Sequence, residues 1–150
     1  MKENHNTIRN MNEKDIENVY QIAIKSFGDP WSKESFLYSV NAESDYSIVA
    51  LENDSVVGYA IMRISFDTAD IADVAVDPDY RRRGIAALLM EKMLSYGKEV
   101  GVDTYVLEVR AGNEAAIRLY EGCGFWSEGV RKKYYTNPIE DAVIMCKHQN

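Results

Sequence analysis

The chain has 150 residues, 46% of them hydrophobic and 27% charged, with 17 Lys and Arg against 24 Asp and Glu for a formal net charge of −7. That length fits a single domain, residues 1–150, able to bury a real core. The pI near 4.9 argues against nucleic-acid binding, which needs a basic face, and no apolar run approaches the roughly 20 residues that span a bilayer, which argues against a membrane role. The opening MKENHNTIRN lacks the apolar centre of a signal peptide, which points to the cytoplasm. Cys123 and Cys146 are too few for a disulfide framework and share no metal-type spacing, so both read as reduced, apolar residues and no metal is expected. His5 and His148 sit near opposite ends of the chain, which argues against a histidine-based site.

Residues 7–9 predict a short strand. Asn12 offers a helix cap before EKDIENVYQIAIKSF, where Ile16, Val19, Tyr20 and Ala23 recur at helical spacing. The segment 28-GDPWS-32 breaks that helix, and Ser32 can cap a second one through about Val40. Strands follow at Tyr46–Leu51 and 56-VVGYAIMRISF-66, separated by the polar turn 52-ENDS-55. The stretch 70-DIADVAVD-77 is another strand with apolar residues at alternate positions, except that Ile71 falls out of the count; Pro78 ends it. From about Arg83 to Val100 the period turns helical, with Ile85, Leu89, Met93, Tyr96 and Val100 on one face and Gly101 as the stop. Residues 104-TYVLEV-109 form a buried strand and 113-NEAAIRLYEG-122 a short helix. The stretches 125-FWSEGVRKKYY-135 and 141-DAVIMCK-147 close the chain as a strand pair. The order β-α-α-β-β-β-α-β-α-β-β predicts an α+β fold of three layers, α/β/α, with a mixed sheet between helices.

Within this acidic chain, Arg81-Arg82-Arg83 precede Gly84 where a strand turns into a helix. Helix N-termini leave N–H groups without partners and carry partial positive charge, so they suit anions and phosphate above all. Gly84 puts no Cβ in the way of an anion, Ala86 keeps the next turn small, and the arginines can add charge-assisted bonds. The spacing matches neither a triphosphate P-loop nor a dinucleotide fingerprint. On residue types alone, a solvated helix entry with ion pairs to Asp77 and Asp79 fits equally well.

The strand–DPDYRRRGIA–helix stretch, followed by 106-VLEVRAGNEAAIRLYEGCGF-125, resembles the GCN-five-related N-acetyltransferases (GNAT enzymes). Their turn signature [QR]-x-x-G-x-[GA] is met by Arg81, Gly84 and Ala86, the last where many members carry glycine. The likeness covers about residues 7 to 147. Four segments are similar to the RimI-type ribosomal-protein alanine N-acetyltransferases: 30-PWS-32, 73-DVAVDPDYRRRG-84, 107-LEVRAGNEAAIRLYEGCGF-125 and 131-RKKYYTNPIEDAVIM-145. The segment from Tyr135 to Glu140 is shorter than that pattern.

The resemblance implies a GNAT-like, mostly antiparallel sheet and acetyl-coenzyme A as co-substrate. Its pyrophosphate would lie on the N–H groups from Arg82 through Gly84, Ile85 and Ala86 to Ala87. Val74, Ala75 and Val76 would lend backbone groups to its pantetheine arm beside a strand bulge, and Asn113, a natural helix cap, would also meet that arm. It implies Glu108 as the base and Tyr120 as the acid that protonates the departing sulfur. From the residues alone, Glu108 can equally partner Arg110 or another cross-strand cation, and Tyr120 can be an aromatic core residue. Phe27, Trp31, Tyr134 and Tyr135 are candidates for the acceptor slot, or plain packing residues. The expected acceptor is a protein N-terminus, that of a ribosomal protein. A small amine or lysine side chain, and a non-catalytic coenzyme A-binding module, remain as alternatives.

Overall fold

The computed structural model describes residues 6–149, so His5 lies outside the described residues. Strand β1 (Asn6–Asn10) leads to Asn12, whose side chain accepts from the Lys14 N–H at 2.9 Å while Asp15 accepts back from the Asn12 N–H at 2.9 Å. This reciprocal cap starts a turn of 3-10 helix that runs on as α1 (Ile16–Ser26). Burial pushes the Asp15 carboxyl up, but the Arg9 guanidinium at 2.7 and 2.9 Å and the Asn12 N–H more than offset it, leaving it below its ordinary value. Helix α2 (Lys33–Asn41) starts where the Ser32 hydroxyl accepts from the Ser35 N–H, as the sequence predicts.

Strands β2 (Asp45–Glu52), β3 (Ser55–Ser65) and β4 (Thr68–Val76) form an antiparallel meander. Then come α3 (Ile85–Val100), β5 (Thr104–Arg110), α4 (Glu114–Gly122), β6 (Trp126–Tyr135) and β7 (Glu140–His148). The sheet order is β1-β2-β3-β4-β5-β7-β6, antiparallel throughout except for β4 beside β5. One sheet face packs on α3 and α4 through Leu89, Met90, Met93, Leu107 and Tyr120; the other packs on α1 and α2 through Val19, Ile22, Phe36, Tyr59 and Ile61. The expected three-layer α+β architecture is therefore what the chain adopts.

The buried face of α3 differs from expectation at its end. Val100 is exposed, while Met90 and Gly97 are buried with Ile85, Leu89 and Met93. Gly97 lies against the Tyr105 ring, where a Cβ would come within 2.1 Å of the hydroxyl oxygen, so the helix can pass over β5 only with glycine there. His148 is on the strand end, with its ring against Trp126 and Nδ1 3.1 Å from the Thr104 hydroxyl.

What positions the site is the parting of β4 from β5. Their parallel ladder holds only Thr68, Ala69 and Asp70 of β4 opposite Thr104, Tyr105 and Val106. Two residues further, β4 bulges: Ile61 pairs with Asp73 and Met62 with Ile71, leaving Ala72 as the extra residue. A bulge bends a strand and ends regular pairing, and beyond it the two strands diverge around a cleft.

Candidate active site

The cleft has a volume of about 230 Å³. Ile71–Val74 form one wall and Leu107–Arg110 the other; Tyr120 and Asn113 come from the α4 side, and Phe27, Trp31 and Tyr135 from the opposite side. Strand alternation holds along β5: Tyr105, Leu107 and Val109 are buried, while Val106, Glu108 and Arg110 face outward from that core.

Glu108 lines the cleft, with a carboxylate oxygen 3.5 Å from Arg131 Nε on β6. The cation beside it is thus a cross-strand arginine and not Arg110, whose guanidinium bonds Glu140 at 3.1 Å and the carbonyls of Thr136 and Pro138. Two residues apart on one strand, Glu108 and Arg110 share a face, but Arg110 is drawn away into the β6–β7 turn and over the Tyr135 ring. Tyr120 is buried with its hydroxyl at the cleft; burial, with Asp73 and Tyr135 nearby, pushes that hydroxyl well above its ordinary value. A phenol so held stays protonated near neutrality and so has a proton to give.

Sequence reasoning passed over Asp73. Its carboxyl accepts from the Tyr59 hydroxyl at 2.9 Å, and desolvation raises it to about 7 against the downward pull of Tyr59 and the Val74 N–H. A signal was present: Asp73 is an acid inside the apolar strand 71-IADVAV-76. Asp29 was also missed; it accepts from the Thr136 hydroxyl and, at 3.0 Å, from the Asn137 amide, fastening the β6–β7 turn over the α1–α2 loop. The turn is thus tied to the α1–α2 loop beside the cleft. Tyr135 lies in the cleft, its hydroxyl raised to about 12 chiefly by burial. Tyr134 does not line it: on the neighbouring, outward-facing position of β6 it is half exposed and meets Tyr135 edge-on.

At the β4–α3 turn, Gly84 is left-handed, with φ +80° and ψ +10°, and a Cβ there would meet nothing within 4 Å. No side chain caps α3, so the N–H groups of Ile85, Ala86 and Ala87 have no intrahelical partner, and the space beside Gly84 is open. The structure therefore fits a diphosphate at this helix end. The three arginines are not equivalent. Arg81 donates to the Val76 carbonyl at 3.2 Å and to the Ser26 hydroxyl at 3.3 Å, tying the end of β4 to α1. Arg83 pairs with Glu52 at 3.1 Å and stacks over Tyr80. The pairing to Asp77 and Asp79 is absent, because Asp77 instead caps the Asp79 N–H and faces Lys25. Among the described residues the Arg82 side chain has no hydrogen-bond or ion-pair partner, and its backbone φ is +64°. Val74 lines the cleft, whereas Ala75 and Val76 bury their side chains and offer only backbone. Asn113 caps α4, its Oδ1 accepting from the Ala116 N–H at 3.1 Å, and faces the cleft. Among the described residues no cluster of His, Cys, Asp or Glu forms a metal site.

Comparison with known proteins gives concordant results. The family described as Acetyltransferase (GNAT) family matches residues 16–125. The [ribosomal protein bS18]-alanine N-acetyltransferase of Escherichia coli K12 is 37% identical over 143 residues, 94% of this chain and 96% of that protein. A putative enzyme of the same description from Bacillus subtilis is 36% identical over 92% of both chains. The crystal structure of the Escherichia coli ribosomal-protein-S18-alanine N-acetyltransferase superposes with a TM-score of 0.89 at 36% identity, covering 96% of this chain and 94% of that one.

Proposed function

The chain belongs to the acetyltransferase (GNAT) family, and we propose that it acetylates the N-terminal alanine of ribosomal protein bS18 in the cytoplasm, as a single domain spanning residues 1–150. It is an acetyl-coenzyme A-dependent N-acetyltransferase. The observation that carries the acceptor assignment is the likeness to the Escherichia coli bS18-alanine enzyme over 94% of the chain. One feature of the site supports it: the slot between Phe27, Trp31 and Tyr135 is lined by Asp73 and Glu108, which suits a cationic chain end.

In this reading acetyl-coenzyme A supplies an activated acetyl group as a thioester. The N–H groups of Ile85, Ala86 and Ala87 hold its diphosphate, with Gly84 giving backbone access and Arg82 an added charge. Freed by the bulge from pairing with β5, the backbone of Val74 to Val76 hydrogen-bonds the pantetheine amides as an added strand would, and Asn113 meets the same arm. The Val76 N–H polarises the thioester carbonyl. Glu108 takes a proton from the acceptor amine, directly or through one water, and Tyr120 donates its proton to the sulfur.

The test is acetyl transfer to peptides beginning Ala-Arg, compared with the same peptides blocked at the N-terminus. Transfer confined to the free N-terminus is expected. Equal turnover of the blocked peptides, through lysine, would overturn the N-terminal assignment.

A further inference from the structure

The site holds a carboxyl that the reading above leaves idle. Asp73 stands on the acceptor-facing side of the sheet, directly after the bulge, in the wall opposite Glu108. It takes one hydrogen bond from the Tyr59 hydroxyl and one from a backbone N–H, both of which suit an ionised carboxylate. Among the described residues no Lys, Arg or His lies within ion-pair distance of it: Arg110 is held by Glu140 and Arg131 by Glu108. A carboxylate enclosed without a cation is costly. One that lines a cleft meant for an amine has a cation on offer, the amine itself.

Resting on the acetyltransferase reading, we propose that Asp73 is a catalytic residue that receives the acceptor's ammonium and takes its first proton, with Glu108 serving a later proton. The ammonium nitrogen loses one proton to a carboxylate oxygen of Asp73, which frees its lone pair. That pair forms the C–N bond to the acetyl carbon while the C–S bond of acetyl-coenzyme A breaks. The nitrogen's second proton leaves by way of Glu108, and the sulfur gains the Tyr120 proton. Amide and thiol result, and once Tyr120 is reprotonated one net proton reaches solvent.

The groups facing Asp73 set its behaviour. They are Tyr59 from β3, Tyr120 from α4, Glu108 and Arg110 from β5, Tyr135 from β6 and Asp29 from the α1–α2 loop. Desolvation places its titration at about 7, one unit below an α-amine at about 8. Ion pairing of carboxylate with ammonium therefore peaks in a narrow window between the two.

The experiment measures kcat/KM against pH with a peptide beginning Ala-Arg, or with whichever amine the wild type acetylates best. The wild type is expected to give a bell with limbs near about 7 and about 8. Asp73→Asn keeps shape and can still accept from Tyr59, yet should lose at least ~10-fold at the optimum. It should also lose the descending limb, leaving a single rise set by the free amine. Tyr59→Phe removes a donor that favours the carboxylate, so its ascending limb should move to higher pH. Coenzyme A affinity should change less than twofold in both variants. Wild-type rates with an unchanged profile in Asp73→Asn would overturn the proposal. So would a lower rate at an unchanged profile, or a matching loss of coenzyme A affinity, since a purely structural role gives those. Should Asp73→Asn not fold, an unmoved ascending limb in Tyr59→Phe overturns it equally. Failure of the N-terminal assignment reads out separately, as turnover of blocked peptides by the wild type.

Discussion

Replacing Gly84 by valine asks whether backbone or guanidinium holds the diphosphate. With φ at +80° the position is left-handed, where a side chain costs about 1–2 kcal/mol and a β-branched one more. A Cβ would meet no protein atom within 4 Å, so nothing in the fold itself resists the change by contact. Relieving that strain by turning the helix entry would re-aim the N–H groups of Ile85 to Ala87. Losing one charge-assisted bond is worth about 1.5–3 kcal/mol, or roughly 10- to 150-fold in affinity. Arg82→Ala removes an exposed pairing worth about 0.2–1 kcal/mol, at most ~5-fold. Arg81 and Arg83 are engaged by Val76, Ser26 and Glu52, so their removal acts mainly on the fold. Calorimetric titration with coenzyme A, paired with thermal melts to confirm folding, should rank Gly84→Val as the largest loss. If any single Arg→Ala loses more affinity than Gly84→Val, the backbone account is wrong.

Three further outcomes are expected. Glu108→Gln and Tyr120→Phe should each bind coenzyme A as the wild type does while turnover falls at least ~10-fold, and unchanged turnover in both would remove their roles. Gly97→Ala places a methyl 2.1 Å from the Tyr105 hydroxyl oxygen and should lower stability by about 1–3 kcal/mol in urea unfolding; a neutral result would mean that α3 lifts off β5 freely. Asp73 has a folded-state value raised from 3.8 to about 7, so its contribution to stability is present at low pH and lost as pH rises through about 7. Asp73→Asn should therefore gain stability on the wild type between pH 5.5 and 8.5, by no more than roughly 2 kcal/mol; parallel unfolding curves at the two pH values would contradict this.

The elements legible in the sequence were those whose ends carry their own chemistry. Asn12 and Ser32 cap the helices they were expected to cap, and Gly101 stops α3 in a left-handed turn. What one-dimensional periodicity missed depends on neighbours. Val100 follows the helical stripe but runs past the edge of the core, and Gly97 is explained only by Tyr105 passing beneath it. The arginine run reads as three equal hands for an anion until Glu52, Ser26 and the Val76 carbonyl are seen to hold two of them. Glu108 lines the cleft because strand alternation is local, whereas its cation comes from β6, two strands away in the sheet. Asp73 went unread because the environment that desolvates it is assembled from distant parts of the chain.

Ile71 failed the alternation count, and the bulge explains why. Ala72 is a half-period slip in β4: before it Ala69 and Ile71 face α3, and after it Val74 and Val76 do. Side-chain phase and strand separation thus change at the same place: past Ala72, Asp73 lines the cleft and β4 no longer pairs with β5. Deleting Ala72 should therefore reverse the side-chain phase of residues 73–76, a change that a substitution at any one position of β4 leaves unmade.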